Sequence, residues 1–337
     1  MQQKIFVTGG TGFLGAYLLR YLVAKGYQNI TALKRPNSPM DLVSPISKQI
    51  QWVEGDILDV PILEQIMKDV DQIYHCAAMV SFNPADKAQM LEINGTGTAN
   101  IVNIALHYNI QKLVHISSIA AIGKEKDQQF ITEATKWKED ATTTSYAKSK
   151  YVAEMEVWRG IAEGLKAAIL NPSLILGSGF WDRGSGRIFK LYANGFPFFS
   201  GGIAGMVDVR DVAKCAIFLM ESDIEKERFI INGENRAYRD LFTQIATEAG
   251  KKPPQFQINK WMMEVGWRLD KVRSFLTGRV PTVSKESIKN AGARRVYINQ
   301  KSIDAFNIAY TPIQETVEAT VKQYLDGKGQ PMILPLY

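Results

Sequence analysis

The chain reads as an α/β protein: a doubly wound parallel sheet with a smaller C-terminal α/β region. Three observations predict this. An apolar, β-branched strand runs straight into a glycine-rich turn and then an amphipathic helix, all within the first 25 residues. Short apolar strands then alternate with helical patterns as far as Asn171. One of those strands ends in hydroxyls, His115-Ile-Ser117-Ser118, and the carboxyl ends of strands are where such sheets bind ligands.

Ile5, Phe6, Val7 and Thr8 make the first strand (4–8), buried on both faces, and the apolar spacing from Phe13 to Lys25 makes the first helix. The same reading gives strands 29–33 and 51–54, helix 60–68, strand 71–75, helix 86–107, strand 112–117, helix 145–163 and strand 166–171. Beyond Asn171 the alternation loosens, with Gly177, Gly179, Gly184, Gly186 and the stretch from Gly195 to Gly205 making loops. Residues 1–171 are therefore expected to form the first domain. Residues 172–337 form a substrate-binding region intertwined with it, part of 205–235 returning to the first domain. No tandem repeat or low-complexity tract interrupts the pattern.

With 337 residues, 46% hydrophobic and 22% charged, the composition is that of a globular chain with a sizeable core, not a disordered one. No stretch approaches the roughly 18 consecutive apolar residues of a spanning helix. The chain also enters a strand at once, without a basic and apolar leader, so a cytoplasmic location is expected. Cys76 and Cys215 lie in apolar surroundings and read as buried thiols; His75, His107 and His115 show no metal-ligand spacing and read as structural. No metal site is expected. The net charge of +6 is uneven: residues 251–301 hold twelve Lys/Arg and three Asp/Glu, a local +9 that leaves −3 elsewhere. This segment reads as a solvated face, with an arm for an anionic substrate or an acidic membrane surface as the sharper alternatives. Trp261-Met-Met-Glu-Val-Gly-Trp267-Arg268 begins an amphipathic helix that suits either.

The turn Thr8-Gly-Gly-Thr-Gly-Phe-Leu-Gly15 predicts a bound dinucleotide. Gly9 lets the chain turn sharply, Gly12 removes a side chain where pyrophosphate must approach, and Gly15 allows close helix-to-strand packing. The helix N-terminus then faces the phosphates. In an NAD-binding unit the second strand typically ends in Asp or Glu, which meets the adenosine ribose. Here it ends Thr31-Ala-Leu-Lys34-Arg35-Pro36, so two cations stand where that carboxylate would be, and NADP is favoured, with NAD the alternative. After the third strand, Asp56 is placed to accept from the adenine amino group while Ile57 packs on the ring; a helix N-cap is the structural alternative for Asp56.

Tyr146 and Lys150 stand one helical turn apart on one face. The same spacing recurs at Tyr21/Lys25, Tyr108/Lys112, Tyr297/Lys301 and Tyr324/Lys328, so five of thirteen tyrosines qualify and context must choose. Only Tyr146 follows the hydroxyl-ended strand by a connection short enough to return to the same sheet end. Ser118 is then expected to hold a substrate carbonyl that Tyr146 protonates, while Lys150 holds the nicotinamide ribose and lowers the phenol's pKa from about 10. This is general acid catalysis beside hydride transfer.

These residues, together with His75-Cys-Ala-Ala78, Asn94 in Ile93-Asn-Gly-Thr-Gly, Asn171-Pro172 and Val207-Asp-Val-Arg-Asp-Val-Ala213, resemble the extended short-chain dehydrogenase/reductases over residues 1 to about 325. These are Rossmann-fold enzymes whose members include nucleoside-diphosphate-sugar epimerases and dehydratases. The resemblance implies a Ser118, Tyr146, Lys150 triad. It implies that Gly9, Gly12, Gly15, Asp56, Ala77 and Pro172 line the cofactor, with Asn94 structural or cofactor-proximal; with Lys34, Arg35 and Ile57 as read above, and Thr11, Phe13, Leu14, Ala78 and Ser173 beside them, these make up the expected cofactor site. Ile122 departs from the pattern, since many sugar-modifying members carry Tyr before the equivalent of Gly123. Ala168-Ile-Leu-Asn171-Pro also lacks the Arg-rich strand common in the sugar-nucleotide branch, and is more similar to dihydroflavonol and cinnamoyl-CoA reductase relatives.

The expected function is an NADP-dependent carbonyl reductase or alcohol dehydrogenase. The alternatives are a sugar-nucleotide epimerase or dehydratase that retains its NAD(P), and a catalytically silent dinucleotide sensor, which has no need of Tyr146. Expected partners are a small-molecule substrate, apolar or anionic, and a second copy of the chain as a homodimer; nucleic acid is not among them. Met79, Val80, Ser81, Phe82, Phe180, Trp181 and Phe196 to Phe199 read equally as an apolar pocket or as core.

Overall fold

The structure is a computed structural model that describes residues 2–81, 83–123, 130–140, 142–258, 262 and 292–336. Apart from Met262, the helix expected from Trp261 to Arg268 lies outside the described residues, as do most of the basic segment and Phe82.

Seven strands form one parallel sheet. In spatial order they are β3 (Gln51–Glu54), β2 (Ile30–Lys34), β1 (Ile5–Thr8), β4 (Gln72–His75), β5 (Lys112–Ile116), β7 (Ala167–Pro172) and β11 (Arg228–Ile231). The chain leaves β1 in one direction to build β2 and β3, then returns to place β4 on its other side. The strand order thus reverses between β1 and β4, which opens a crevice at their carboxyl ends. Alternation along each strand explains the two covered faces. Ile5, Val7, Tyr74, Val114, Ala168 and Leu170 pack on one side against α1 (Phe13–Ala24) and α7 (Val209–Glu221). Phe6, Ile73, Leu113, Ala167 and Ile169 pack on the other against α2 (Val60–Met67), α4 (Gly97–His107) and α5 (Ser145–Ala162). Each fully buried Phe or Ile contributes about 1.5–3 kcal/mol, so a register slip of one residue, which would exchange the faces, is strongly disfavoured.

The expected continuous helix over 86–107 is interrupted. A short 3₁₀ turn (Pro84–Asp86) and α3 (Lys87–Leu91) lead into a π-helical turn over Glu92–Thr96, where the Gly97 N–H reaches back to Glu92 O, before α4 continues. The wider turn is held by Asn94, whose buried amide bonds outside the helix, as described below. π-turns of this kind commonly mark functional positions.

After β7 only Ser173 separates the main sheet from β8 (Leu174–Leu176). That strand pairs in parallel with β10 (Ile203–Asp208), which pairs antiparallel with β12 (Glu234–Ala237). Around this small sheet α6 (Gly186–Ala193), α8 (Tyr238–Glu248) and α10 (Ile313–Asp326) close a second core of Trp181, Phe189, Phe199, Leu241, Phe242, Ile245 and Val317. The two parts are pinned where β10 meets α7. Asp208, fully buried, accepts from the Arg210 guanidinium (2.7 and 2.9 Å) and from Thr316 Oγ1 of α10 (2.8 Å). Among the described residues no helix is long and apolar enough to cross a membrane.

Candidate active site

The glycine turn shows why no side chain fits there. Gly9 has φ +71°, and a Cβ on it would lie 2.7 Å from Ala77 N; one on Gly15 would lie 2.2 Å from Gly9 O. β1, α1 and the segment after β4 are therefore in backbone contact at this point. Gly12 N–H bonds Gly9 O (2.9 Å), and Gly12 caps α1 without a side-chain acceptor, so the first N–H groups of the helix face the crevice unpaired by any cap. Around Gly12 a Cβ would meet only Gly9 O, at 3.1 Å, leaving room for a close backbone approach. Thr11 is nearly buried, Leu14 packs against the core, and the Phe13 ring lies edge-on to Tyr17 (5.8 Å) against Gly177 and Gly179. This concave, glycine-lined helix N-terminus fits the pyrophosphate of a dinucleotide.

At the adenosine end the two cations behave differently. Lys34 is opposite Glu54 in the parallel register of β2 and β3, and its Nζ pairs with that carboxylate at 3.0 Å. Arg35 is exposed, and its guanidinium has no ion-pair partner among the described residues. Asp56 Oδ1 accepts from Leu58 N (3.0 Å), while the helix-capping role goes to Asp59, which accepts from Ile62 N (3.3 Å). The Ile57 side chain is 6% exposed and fills the space over Gly97, where a Cβ would come within 2.4 Å of its Cδ1.

The segment Cys76–Met79 is fastened by a chain of hydrogen bonds whose direction can be worked out. Thr98 Oγ1 donates to Asn94 O (2.6 Å), so at its 2.9 Å contact with His75 Nε2 it must accept. His75 thus carries its proton on Nε2, and Nδ1 accepts from Thr8 Oγ1 (2.7 Å), which itself accepts from Ala77 N (3.2 Å). Burial, then the charge on Lys150, holds the His75 pKa down to about 3, which keeps the ring neutral as this chain requires. Asn94, 1% exposed, closes the arrangement: Oδ1 accepts from Met79 N (2.7 Å), and Nδ2 donates to Met79 O (3.0 Å) and Ser149 Oγ (2.9 Å). Its amide hydrogens are spent on the protein, and its work is to set the loop bearing Ala77 and the exposed Ala78 against α5.

Ser118, Tyr146 and Lys150 come together at the carboxyl end of β5. Thr144 caps α5 by accepting from Ala147 N (3.1 Å), which puts Tyr146 in the first turn and Lys150 in the second. The Tyr146 phenol hydrogen-bonds Ser118, whose Oγ also accepts from Ala120 N (3.1 Å). Lys150 is 2% exposed and donates to Ile116 O (2.9 Å). Burial draws its pKa down to about 8, opposed by Glu154 and Cys76. One expectation is corrected here: the phenol's pKa is raised, not lowered. Burial outweighs the Ser118 bond, and the Lys150 ammonium is engaged with the backbone of β5. Pro172 ends β7 beside this group, and the adjoining Ser173 is 6% exposed, with no hydrogen-bond partner for its Oγ among the described residues.

The competing Tyr/Lys pairs fall elsewhere. Lys25 pairs with Glu221, Lys112 caps the end of α7 through Leu219 O, Lys301 bonds Arg228 O, and Lys328 sits beyond α10. Of the residues considered for a pocket, Phe180, Trp181 and Phe199 are core residues, while Val80 is 60% exposed. The feature the sequence concealed is Glu154, fully buried beneath the site; a glutamate inside an amphipathic helix gives no signal that it faces inward.

The model of the NAD dependent epimerase/dehydratase family matches residues 5–232. A Synechocystis sp. protein provisionally named a dihydroflavonol 4-reductase is 30% identical over 330 residues, 95% of this chain and 94% of that one. Cinnamoyl-CoA reductase 1 of Petunia hybrida is 24% identical over 341 residues, 97% and 93% of the two chains. Among solved structures, UDP-glucose 4-epimerase of Thermotoga maritima, with UDP-glucose, superposes with a TM-score of 0.75 at 20% identity, covering 96% and 99%. With the glycine turn, the strand order and the Ser118, Tyr146, Lys150 grouping in place, the chain belongs to the NAD dependent epimerase/dehydratase family of extended short-chain dehydrogenase/reductases and is an NAD(P)-dependent enzyme.

Proposed function

We propose that the protein is an NADP-dependent carbonyl reductase, or the corresponding alcohol dehydrogenase, acting on a small apolar or anionic molecule. The observation that carries the reading is the half-buried Tyr146, its phenol hydrogen-bonded to Ser118 beside a buried lysine. A bound reduced nicotinamide supplies the hydride. Ser118 Oγ accepts from Ala120 N, and its own hydrogen, which here goes to the Tyr146 phenol oxygen, would turn toward a substrate oxygen when one is bound. Tyr146 delivers its proton to that oxygen as negative charge develops there; a phenol held above its ordinary pKa starts fully protonated. Lys150, largely protonated at neutral pH, offers an ammonium to the ribose side of the site.

NADP is favoured because Arg35 presents an exposed guanidinium with no ion-pair partner among the described residues, to which a 2′-phosphate brings charge-assisted acceptors. Lys34 contributes less, being shared with Glu54. Residues 1–171 would hold the cofactor and 172–337 the substrate. Both cysteines of the chain are free, in keeping with a cytoplasmic enzyme.

The rival is sugar-nucleotide epimerisation, which the family name admits. Hydride balance separates the two. A reductase consumes NADPH in proportion to product and needs added cofactor, whereas an epimerase shows no net consumption and often purifies with its dinucleotide. Turnover of a nucleoside-diphosphate sugar with no net change in NADPH absorbance would overturn the reductase reading.

A further inference from the structure

One turn along α5 from Lys150, the Glu154 carboxylate is completely buried, and its two oxygens face different ways. Oε2 accepts from Ser117 Oγ (2.6 Å) and Asn171 Nδ2 (2.7 Å). Oε1 accepts from Arg228 Nη1 (2.8 Å) and Trp158 Nε1 (3.3 Å). Asn171, also fully buried, passes the connection on, its Nδ2 donating to the Ser118 carbonyl at 3.0 Å. One carboxylate therefore joins α5 to the ends of β5, β7 and β11. Such a group is a poor device for stability alone. Apolar side chains of similar volume usually serve as well as a buried ion pair, because desolvation offsets most of the attraction. Its placement directly behind Ser118 and Lys150 points to a task in the site.

The surroundings of Lys150 define that task. From β4 it is faced by His75 and from β5 by His115, both held neutral by burial. Cys76, just beyond β4, has its thiol pushed up to about 12 and stays protonated. On its own helix stand the neutral Tyr146 and the carboxylate of Glu154, with the Arg228 guanidinium on the far side of that carboxylate. Among the described groups facing Lys150, Glu154 is the one anion.

We propose that Glu154 is a positioning residue of the reaction centre: through Ser117 and Asn171 it fixes the backbone that carries Ser118, and its charge keeps the Lys150 ammonium protonated at working pH. This rests on the reading of Ser118, Tyr146 and Lys150 as the reacting group, but the decisive measurement needs no substrate. Protein labelled with ¹⁵N-lysine would be titrated by NMR, with Lys150 identified as the resonance lost in Lys150→Arg. Wild type should titrate near pH 8, apart from the other lysines.

Glu154→Gln should move that midpoint down by about one pH unit or more, the effect of deleting a nearby opposite charge, and Glu154→Asp should restore it. Asn171→Ala should leave the midpoint in place yet lower kcat about tenfold or more, with cofactor KM little changed, because only the seating of Ser118 is disturbed. If Glu154→Gln leaves Arg228 unpaired and fails to fold, the double variant Glu154→Gln/Arg228→Gln removes both charges and is read the same way. A folded Glu154 variant whose Lys150 titrates as in wild type would overturn the proposal. So would full turnover in Asn171→Ala.

Discussion

Replacing Lys150 with Met should make the protein more stable at neutral pH and less stable at high pH. Lys150 is 2% exposed, and its pKa falls from 10.5 to about 8 in the fold. The unfolded chain therefore binds the proton more tightly than the native state does. Stability lost to this group is fully lost below pH 8 and is regained as pH rises from about 8 to 10.5. The 2.5-unit difference between those two values corresponds to about 3 kcal/mol. Met removes that cost while keeping the length of the side chain. It also removes the donor to Ile116 O, and an orphaned buried carbonyl costs about 1–3 kcal/mol. At pH 7 the balance favours Lys150→Met by about 1 kcal/mol; above the unfolded pKa of 10.5, where the charge cost has gone, the orphaned carbonyl leaves the variant weaker by about 1–3 kcal/mol. Urea unfolding of both proteins at neutral pH and at a pH above 10.5 measures each difference directly. A variant that is less stable at both pH values by the same amount would show that Lys150 is not held as a strained buried cation, and the reasoning would fail.

Tyr146→Phe should lower turnover by a factor on the order of 10²–10⁴ with dinucleotide binding nearly intact, whereas Tyr108→Phe, at the end of α4 against His107, should leave turnover unchanged in the same assay. Arg35→Ala should weaken NADP about tenfold or more while leaving NAD little affected; Lys34→Ala should do less, because its ammonium is shared with Glu54, and fluorescence titration of both cofactors compares the two variants. Gly9→Ala, forced to φ +71° with a Cβ 2.7 Å from Ala77 N, should abolish dinucleotide binding and destabilise the fold by about 2 kcal/mol or more, read by the same titration and by thermal unfolding.

The main sheet was legible because its inner strands bury alternate residues on two opposed cores and so read as short apolar runs. The glycine turn was equally legible, since Gly9 and Gly15 sit where backbone meets backbone and no other residue fits. The π-turn at Asn94 was not, because one extra residue hardly disturbs a helical pattern and the cause is a set of hydrogen bonds to Met79 and Ser149. The fate of Lys34 depended on which residue of β3 stands opposite it, a register that no local pattern specifies. The direction of the Tyr146 pKa shift is hidden for a related reason. The spacing puts a cation near the phenol but gives no measure of how far each group is withdrawn from water.

Tyr17, in the first helix, is held from both sides: its hydroxyl donates to Ser178 O (2.7 Å) and accepts from Leu334 N (2.8 Å), across 317 residues of sequence. Ser178 Oγ bonds Met332 O and Trp181 Nε1 bonds Gln330 O, so the stretch 330–334 lies as a strap over the region where the glycine turn meets the segment after β8. During synthesis, then, the first helix cannot reach its final packing until more than three hundred further residues have left the ribosome. At about 5–20 residues per second, that is a wait of some tens of seconds with an incomplete core. The nascent chain must carry an almost finished dinucleotide cradle whose outer wall arrives last, an interval in which chaperones, and the cofactor itself, have access to it.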